Sequence, residues 1–413
     1  MSQVLYLSYD GMTDPLGQSQ VIPYIEGLSK LGYEFTLISF EKPERFEKFS
    51  KEISERLKRS NIDWVPLTYT KKPPVLSTVY DLWRMQKKAF ALHVEKNFSI
   101  VHCRSYISAF VGLAMKRKFG TKFLFDMRGF YADERVDGKI WSLSNPLYKT
   151  IFNFFKQKEE AFLTEADYTI SLTLAGKKIL QARNEIPNQP IPIQVIPCCA
   201  DLDLFAQRSV DEKLKRELRQ KFQLTGNEFV LSYLGSIGTW YMLDEMLDFF
   251  KCLLEKRPDA KFLFITNEQP QNILSKAGQK NIPETAFLIS AAKHHEVPTF
   301  LSLSNWNLFF ILPVFSKQAS SPTKQGEIMG MGIPHVCNAG VGDVDGITEG
   351  LQSGILVREF SASAYQSAIE KILSDKINFN SEKIVAAADE VYSLAKGVQK
   401  YAQVYEALIR GER

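Results

Sequence analysis

Short apolar runs alternate with longer amphipathic segments through the first half of the chain. Runs of strand length occupy residues 4–9, 35–40, 62–67, 100–104, 122–126, 168–171 and 194–197. Between them, apolar positions at helical spacing predict helices over residues 18–31, 45–59, 75–97, 107–118 and 146–165. Strands that alternate with helices in this way are typical of a parallel sheet covered on both faces.

The second half repeats this alternation. Strands are predicted at residues 229–234, 261–266, 285–289, 308–312, 335–338 and 354–357, with helices at 269–279 and 297–303. The tail from residue 361 to 413 is predicted to be helical throughout. Two α/β halves imply a cleft between them, where a ligand usually binds. The polar stretch after residue 205 is the predicted boundary, which gives domains over 1–205 and 206–390.

Composition and charge narrow the functional classes. A length of 413 residues, 45% hydrophobic and 24% charged, fits a folded protein of two domains. The net charge of +4 gives no case for nucleic-acid binding, which needs a concentrated basic face. We find no signal-peptide pattern and no apolar run near the ~20 residues of a spanning helix, so we expect a cytoplasmic protein. The odd number of cysteines, scattered in apolar surroundings, predicts reduced thiols.

A glycine-bearing loop over residues 10–17 follows the first predicted strand. In βαβ units a ligand lies at the carboxyl ends of the strands, so Gly17 and Gln18 are candidates for holding a phosphate or an acceptor. The loop matches neither the dinucleotide fingerprint nor a P-loop, which weakens the case for hydride transfer and for ATP hydrolysis. The alternative is that the glycines serve turn geometry alone.

Charged residues also follow two later strands of the first half. Arg128 is the first charge after the strand at 122–126 and begins a segment rich in charges and aromatics that includes Asp133. Arg104 ends the strand at 100–104. Both arginines and Asp133 are candidates for contacts with an acceptor or a phosphate. The alternative for this segment, residues 127–138, is a solvated loop with internal ion pairs.

The helix predicted at residues 146–165 has an apolar side and a lysine-bearing side. Such a helix can lie on a membrane surface, but an apolar stripe at this spacing more often faces a core. Peripheral membrane contact therefore stays an open possibility.

The stretch from Ser320 to Pro334 lies between two buried runs and carries the most specific chemistry. Lys324 and Glu327 are three residues apart, so a short helix places them on one face, near free backbone N–H groups. Amides and a lysine suit phosphates, and a carboxylate suits a sugar diol. The alternative is an ordinary helix start with a solvated ion pair.

Four places in the sequence resemble the retaining, nucleotide-sugar-dependent glycosyltransferases of the GT-B fold, family 4-like (group 1). These places are residues 17–20, 196–205, 234–238, and 320–334 with 340–343. The resemblance implies two Rossmann-like domains facing a cleft, with a segment over 391–413 returning to the first domain. It also implies a sugar transfer from a nucleoside-diphosphate sugar to a hydroxyl of a glycan, lipid-linked or small-molecule acceptor, as in cell-surface polysaccharide synthesis.

The resemblance also assigns roles to residues of the second half. Glu327 would bind the ribose hydroxyls of the donor, and Ser321, Thr323 and Lys324 would contact its diphosphate. The glycine loop after the strand at 229–234 would join them. Its candidate residues are Gly235, Ser236, Gly238 and Thr239.

Catalysis is expected to depend on Arg128, Lys324 and Glu327. Departure of a nucleoside diphosphate builds negative charge, which cations and N–H groups stabilise. No strand-end carboxylate pair suggests a metal, so we expect neither metal nor cofactor, only the donor as co-substrate.

The sequence departs from the family pattern in three places. Ala319 stands where many members carry a first glutamate, Ser236 stands where many carry an arginine, and Arg128 replaces a histidine. Two other functions therefore stay open. One is a GT-B-fold sugar-nucleotide epimerase, and the other is a non-catalytic nucleotide-binding relative.

Overall fold

The computed structural model describes residues 2–187, 189–374 and 379–411. The chain divides into two compact units. Unit 1 comprises Met1–Pro197 and Leu394–Arg413, and unit 2 comprises Cys198–Ser393. The limits expected from the sequence, after residues 205 and 390, lie close to these divisions.

Unit 1 is built on a seven-stranded parallel sheet, with the spatial order β3-β2-β1-β4-β5-β6-β7. The strands are β1 (Ser2–Ser8), β2 (Tyr33–Glu41), β3 (Ile62–Thr68), β4 (Ile100–Arg104), β5 (Lys122–Asp126), β6 (Tyr168–Ser171) and β7 (Ile193–Val195). The helices are α1 (Pro15–Gln20), α2 (Ile22–Lys30), α3 (Pro43–Arg59), α4 (Leu76–Lys96), α5 (Ser105–Phe119), α6 (Tyr131–Asp137), α7 (Pro146–Glu165) and α8 (Leu174–Gln181). Because the order reverses beside β1, the loops after β1 and β4 lie at a topological switch point, where doubly wound folds bind ligands.

Unit 2 repeats this design with six parallel strands in the order β10-β9-β8-β11-β12-β13. The strands are β8 (Val230–Leu234), β9 (Lys261–Ile265), β10 (Phe287–Ser290), β11 (Trp306–Phe309), β12 (His335–Asn338) and β13 (Gly354–Val357). The helices are α9 (Glu212–Lys221), α10 (Leu243–Lys256), α11 (Pro270–Gln279), α12 (Val297–Leu301), α13 (Thr323–Gly330), α14 (Val344–Gly350), α15 (Ala362–Leu373) and α16 (Ser381–Tyr392). The switch point here lies between β8 and β11.

The last helix, α17 (Leu394–Arg410), belongs to unit 1 and packs on α2. The approach is close, because a Cβ on Gly27 would lie 2.6 Å from a methyl group of Val398. Tyr401 and Tyr405 are buried on the same side of α17. The expectation that the C-terminal helical segment packs back on the first domain is therefore confirmed.

Two expectations about elements were wrong. The helix predicted at 18–31 is two helices that meet at Val21, because Pro23 has no N–H for a continuous helix. The tail is not one helical run: it is interrupted before Asn380, which caps α16, and again at Ser393. Residues 375–378 lie outside the described residues.

Two chemical expectations can be compared with the structure. No disulfide joins the five cysteines, all of which are described, and four of them are buried. Among the described residues, no helix has the length and apolar character needed to cross a bilayer.

Candidate active site

Helix α13 carries the charged pair singled out in the sequence. The helix starts directly after Pro322, so Lys324 and Glu327 both lie near its beginning, as predicted. A short 3-10 turn, Phe315–Ala319, leads from β11 towards this start. Ala319 is buried, at 3% exposure, in the position where a first glutamate was looked for.

The side chain of Lys324 is enclosed by two tyrosines. Its Nζ donates to the Tyr233 hydroxyl at 3.1 Å and lies 3.6 Å from the centre of the Tyr241 ring. The residue is only 7% exposed, and no carboxylate lies within 4.0 Å of the ammonium among the described residues. Burial lowers the pKa of Lys324 well below its ordinary value, although the Glu327 charge opposes this. The site thus holds a buried lysine that makes no ion pair within 4.0 Å among the described residues.

The glycine loop after β8 lies against this lysine. Gly235 has φ +107°, a conformation that favours glycine, and a Cβ there would lie 3.3 Å from Lys324 Nζ. The Tyr233 hydroxyl donates to the carbonyl oxygen of Ser236. The structure therefore brings Gly235 and Lys324 together, and Tyr233 links the lysine to the loop.

Glu327 lies on the same side of α13, close enough to Tyr241 and Lys324 to influence both electrostatically. Burial raises the pKa of its carboxyl group to about 7, partly offset by the Lys324 charge. The side chain is half-buried, and within the described residues it makes no hydrogen bond or ion pair. Its oxygens are available to accept hydrogen bonds from a ligand.

A buried polar network holds α13 in place. Gln325, which is fully buried, contacts His335 Nε2 at 3.2 Å and donates to Thr348 Oγ1 at 3.1 Å. Its side-chain oxygen accepts from the Tyr392 hydroxyl at 2.8 Å. Gly326 packs against the same tyrosine, because an added Cβ would lie 2.8 Å from Tyr392 Cβ. These contacts fix the orientation of the helix.

The remainder of the glycine loop is more exposed. Ser236, Gly238 and Thr239 are exposed, and the loop ends where Tyr241 pairs with Ile311 in an isolated antiparallel bridge. A cavity of about 390 Å³ opens beside it. Its lining includes Gly238, Thr239, Tyr241, Glu268, Asn272 and Lys276. This cavity is a concave space next to the lysine site.

Ser321 and Thr323 are placed less clearly for a ligand. The Ser321 hydroxyl accepts from the backbone N–H of Cys198 at 3.2 Å, which ties the loop before α13 to the start of unit 2. Thr323 is half-buried in the first turn of α13. The structure therefore gives Ser321 a structural contact, and its role towards a diphosphate stays a prediction.

The loop after β1 in unit 1 is organised by a buried carboxylate. Glu41, at the end of β2, accepts from the N–H groups of Met12 and Thr13 at 2.7 and 3.0 Å. Gly17 packs tightly, because a Cβ there would lie 2.2 Å from the carbonyl oxygen of Gly11. Gln18 donates to the Thr13 carbonyl oxygen at 3.1 Å. Two amides of the loop are therefore occupied within the protein, which leaves fewer for a phosphate.

Arg104 and Arg128 lie at the carboxyl ends of β4 and β5. Arg104 is 4% exposed and pairs with Asp10 at 3.3 Å. Arg128 adopts φ +61°, an uncommon conformation for a side-chain-bearing residue, and lies 3.8 Å from Asp126. Burial lowers the pKa of the nearby His102, and the positive charges of both guanidinium groups lower it further. The two strand ends thus form an ionic cluster beside the switch point of unit 1.

Asp133, the third candidate of unit 1, is held by ion pairs within the protein. Its carboxylate accepts from Lys156 at 2.9 Å, and Lys156 also pairs with the buried Glu159 at 2.8 Å. Burial raises the pKa of Asp133, which the contact with Lys156 opposes. The internal ion pairs considered as an alternative for residues 127–138 therefore exist at Asp133, where they connect α6 to α7.

Several important residues were missed from the sequence. Tyr233 lies inside a buried strand and reads as core, and Gln325 reads as a surface residue of a polar stretch. Tyr241 follows the glycine loop directly and carries no sequence signal of its own for a contact with the lysine. An aromatic residue within or just after a strand that ends in a glycine loop is the signal that could have found both tyrosines.

The described residues contain no group of three His, Cys, Asp or Glu side chains arranged to hold a metal ion. Metal-independent catalysis stays a prediction, since charge on a leaving group can be stabilised by the cations and amides described above.

Comparisons with known proteins match both units. A family model described as Glycosyltransferase Family 4 matches residues 19–204, and one described as Glycosyl transferases group 1 matches residues 215–390. No curated protein sequence matches the chain.

Solved structures share the fold over nearly the whole chain. Sucrose-phosphate synthase from Thermosynechococcus elongatus matches with a TM-score of 0.72 and 15% identity, covering 100% of each chain. A glycosyltransferase from Rickettsia africae matches with a TM-score of 0.71 and 14% identity, and the match covers 99% of this chain and 98% of that one. Anabaena HepE, solved in complex with UDP and glucose, matches with a TM-score of 0.69 and 12% identity. The match covers 98% of this chain and 100% of that one. At these identities the likeness shows the fold, two Rossmann-like units.

Proposed function

Since the chain belongs to the group 1, family 4-like glycosyltransferases, we propose that it moves a sugar from a nucleoside-diphosphate sugar to an acceptor hydroxyl. The acceptor would be a glycan, a lipid-linked sugar or a small molecule, and the reaction would serve cell-surface polysaccharide synthesis on the cytoplasmic side. We propose that the reaction retains the anomeric configuration and uses no metal or cofactor.

The observation that carries this proposal is the buried ammonium of Lys324. A charged group at 7% exposure without a counter-ion is costly, and a bound anion offsets that cost. The half-buried carboxylate of Glu327 adds an acceptor for hydroxyl groups on the same helix. A diphosphate would pair with Lys324 and a ribose diol would donate to Glu327, whereas a simple anion would pair with Lys324 alone. Anabaena HepE, which shares the fold, was solved with UDP and glucose.

Transfer breaks the bond between the anomeric carbon and the diphosphate oxygen, and the electron pair leaves with the diphosphate. The acceptor oxygen bonds to that carbon, and its proton passes to the departing diphosphate oxygen. Lys324, with backbone N–H groups at the start of α13, would stabilise the charge on the departing diphosphate. Such donors stabilise a developing charge most strongly where water is excluded, and the rings of Tyr233 and Tyr241 exclude water around the lysine.

Recognition of the transferred sugar must differ from members with a first glutamate. Ala319 is buried and offers no polar group to sugar hydroxyls. We propose that Gly238 and Thr239, beside the cavity next to the loop, contribute donor contacts. Arg128 and Arg104 would serve the acceptor or the transferred group from unit 1.

A thermal-shift panel of nucleoside diphosphates and their sugars tests the proposal. A bound donor stabilises the native state by mass action, so one base should raise the melting temperature above the others. Chromatography of the stabilising donor, with and without added acceptors, then identifies the reaction. Sugar transfer to an acceptor supports the proposal. An isomerised donor without acceptor would indicate an epimerase, and binding without turnover would indicate a non-catalytic relative.

A further inference from the structure

Helix α4 in unit 1 turns an apolar face outward. Its exposed side chains Leu76, Val79, Tyr80 and Trp83 have exposures of 66%, 58%, 51% and 55%. Their spacing of three and four residues places them on one side of the helix. The opposite side of α4 is buried by Ser77, Asp81, Met85, Ala89 and His93. The outward face, which we call the α4 face, therefore consists of Leu76, Val79, Tyr80 and Trp83.

Positive charge surrounds the α4 face. Between residues 70 and 90 the basic residues are Lys71, Lys72, Arg84, Lys87 and Lys88. The only acidic residue in that range, Asp81, is fully buried. Lys87 lies 5.3 Å from the centre of the Trp83 ring, and Arg84 lies 5.4 Å from that of Tyr80. Lys87 thus lies beside an aromatic ring of the face, and Arg84 lies beside another while also pairing with the buried Asp81 at 3.3 Å.

We propose that the α4 face docks on an anionic membrane surface. Trp and Tyr favour the boundary between lipid headgroups and acyl chains, and lysines beside them reach towards anionic headgroups. Amphipathic helices with these residue types bind in the plane of a membrane. A second copy of this chain is a poorer occupant, because a symmetric contact would bring together two sets of the four lysines, Lys71, Lys72, Lys87 and Lys88.

The α4 face is connected to the loop expected to hold the acceptor. The buried Asp81 carboxylate accepts from the Tyr9 hydroxyl at 3.2 Å and from the Thr70 N–H at 2.9 Å. Tyr9 directly precedes Asp10, the partner of Arg104. Docking would therefore hold this loop near the membrane. This last step rests on the proposed function, and it assigns the acceptor to the lipid-linked class.

Vesicle sedimentation of the full chain, without donor or acceptor, tests the docking. One set of vesicles is phosphatidylcholine alone, and the other is phosphatidylcholine mixed with phosphatidylglycerol. We expect binding to the mixed vesicles that falls with added salt, together with a blue shift of tryptophan fluorescence. The double variant Tyr80→Ser/Trp83→Ser should bind at least about tenfold more weakly, because apolar burial and charge act together.

The matched control is Leu174→Ser, which changes a leucine of 56% exposure on α8 and should leave vesicle binding unchanged. Both variants should keep the wild-type melting temperature and donor affinity. Equal binding to both kinds of vesicle, or full binding by the double variant, would overturn the proposal. So would a dimer in light scattering that the double variant dissociates. If the wild type binds none of the nucleotide sugars tested, that result would instead count against the proposed function.

Discussion

The ammonium nitrogen of Lys324 lies 3.6 Å from the centre of the Tyr241 ring, and among the described residues no carboxylate oxygen lies within 4.0 Å of it. The ring face attracts the cation, but it does not replace the water that burial removes. The pKa of Lys324 is accordingly lowered, and that of Glu327 is raised to about 7. A site with both shifts is destabilised until a ligand satisfies it.

Replacing Lys324 by methionine should separate activity from stability. We expect kcat/KM for sugar transfer to fall by about 10²–10³-fold, because a donor to the leaving diphosphate is lost. The melting temperature should stay equal or rise, since a desolvated charge is removed. Steady-state kinetics and calorimetric melting measure the two effects. The control Lys383→Met, at an exposed position, should change neither. A lower melting temperature with full activity would contradict the assignment.

The affinity for a nucleotide sugar should depend on pH through both groups. Glu327 accepts ribose hydroxyls best as a carboxylate, so affinity should rise as pH increases through about 7. It should fall as Lys324, whose pKa burial lowers, loses its proton. Titration calorimetry measures the profile, in which Glu327→Gln should lack the acidic limb and Lys324→Met the alkaline limb. A flat profile in the wild type would exclude both groups from donor binding.

The stability of the ligand-free protein should fall as Glu327 loses its proton, whereas the affinity for the donor should rise. Its folded-state pKa is raised above the ordinary 4.5, so its contribution is fully present below pH 4.5 and lost as pH rises through about 7. Melting temperatures of the wild type and of Glu327→Gln should therefore diverge between these two pH values. Parallel melting curves across this range would show that the carboxyl group is not buried as described.

Glycine is required at position 326 by close packing. Gly326→Ala should lower the stability of unit 2 by about 1–3 kcal/mol, because the new methyl group overlaps Tyr392. The matched control is Gly346→Ala in α14, where nothing lies within 4 Å of the added Cβ, and it should be neutral or stabilising. Denaturant unfolding measures both. Equal effects would mean that α13 does not approach Tyr392 this closely.

Arg128 should matter for transfer and not for nucleotide binding. Arg128→Ala is expected to lower the transfer rate by at least about tenfold while the affinity for the free nucleoside diphosphate stays unchanged. Arg59→Ala, at an exposed position in α3, is the control. If Arg128→Ala weakens nucleotide affinity and leaves the rate intact, its proposed place with the acceptor or transferred group is wrong.

Much of the fold was predictable because apolar runs mark parallel strands clearly. Five predicted strands coincide with the observed bounds, namely those at 100–104, 122–126, 168–171, 335–338 and 354–357. The strand predicted at 308–312 instead ends at Phe309. Beyond Phe309, the Asn338 side chain accepts a hydrogen bond from the Ile311 N–H at 2.7 Å and donates one to the Ile311 carbonyl oxygen at 2.8 Å. The sequence has no local sign of that long-range contact.

The site was predictable only where its chemistry is local. Lys324 and Glu327 share one short helix, so their spacing was enough to place them together. Tyr233 and Tyr241 come from a strand and a loop far away in sequence, and only the sheet brings them to the lysine. The role of Gln325 depends on Tyr392, which lies on another helix. Such partners follow from topology and not from periodicity.

Titration calorimetry of Glu327→Ala with the donor chosen by the thermal-shift panel tests the central claim most directly. The account predicts at least about tenfold weaker binding than the wild type, because hydrogen bonds from two hydroxyls to a charged acceptor are lost. Glu370→Ala, at an exposed position in α15, serves as the control and should bind as the wild type does. Unchanged affinity in Glu327→Ala would contradict the assignment of this helix as the donor site.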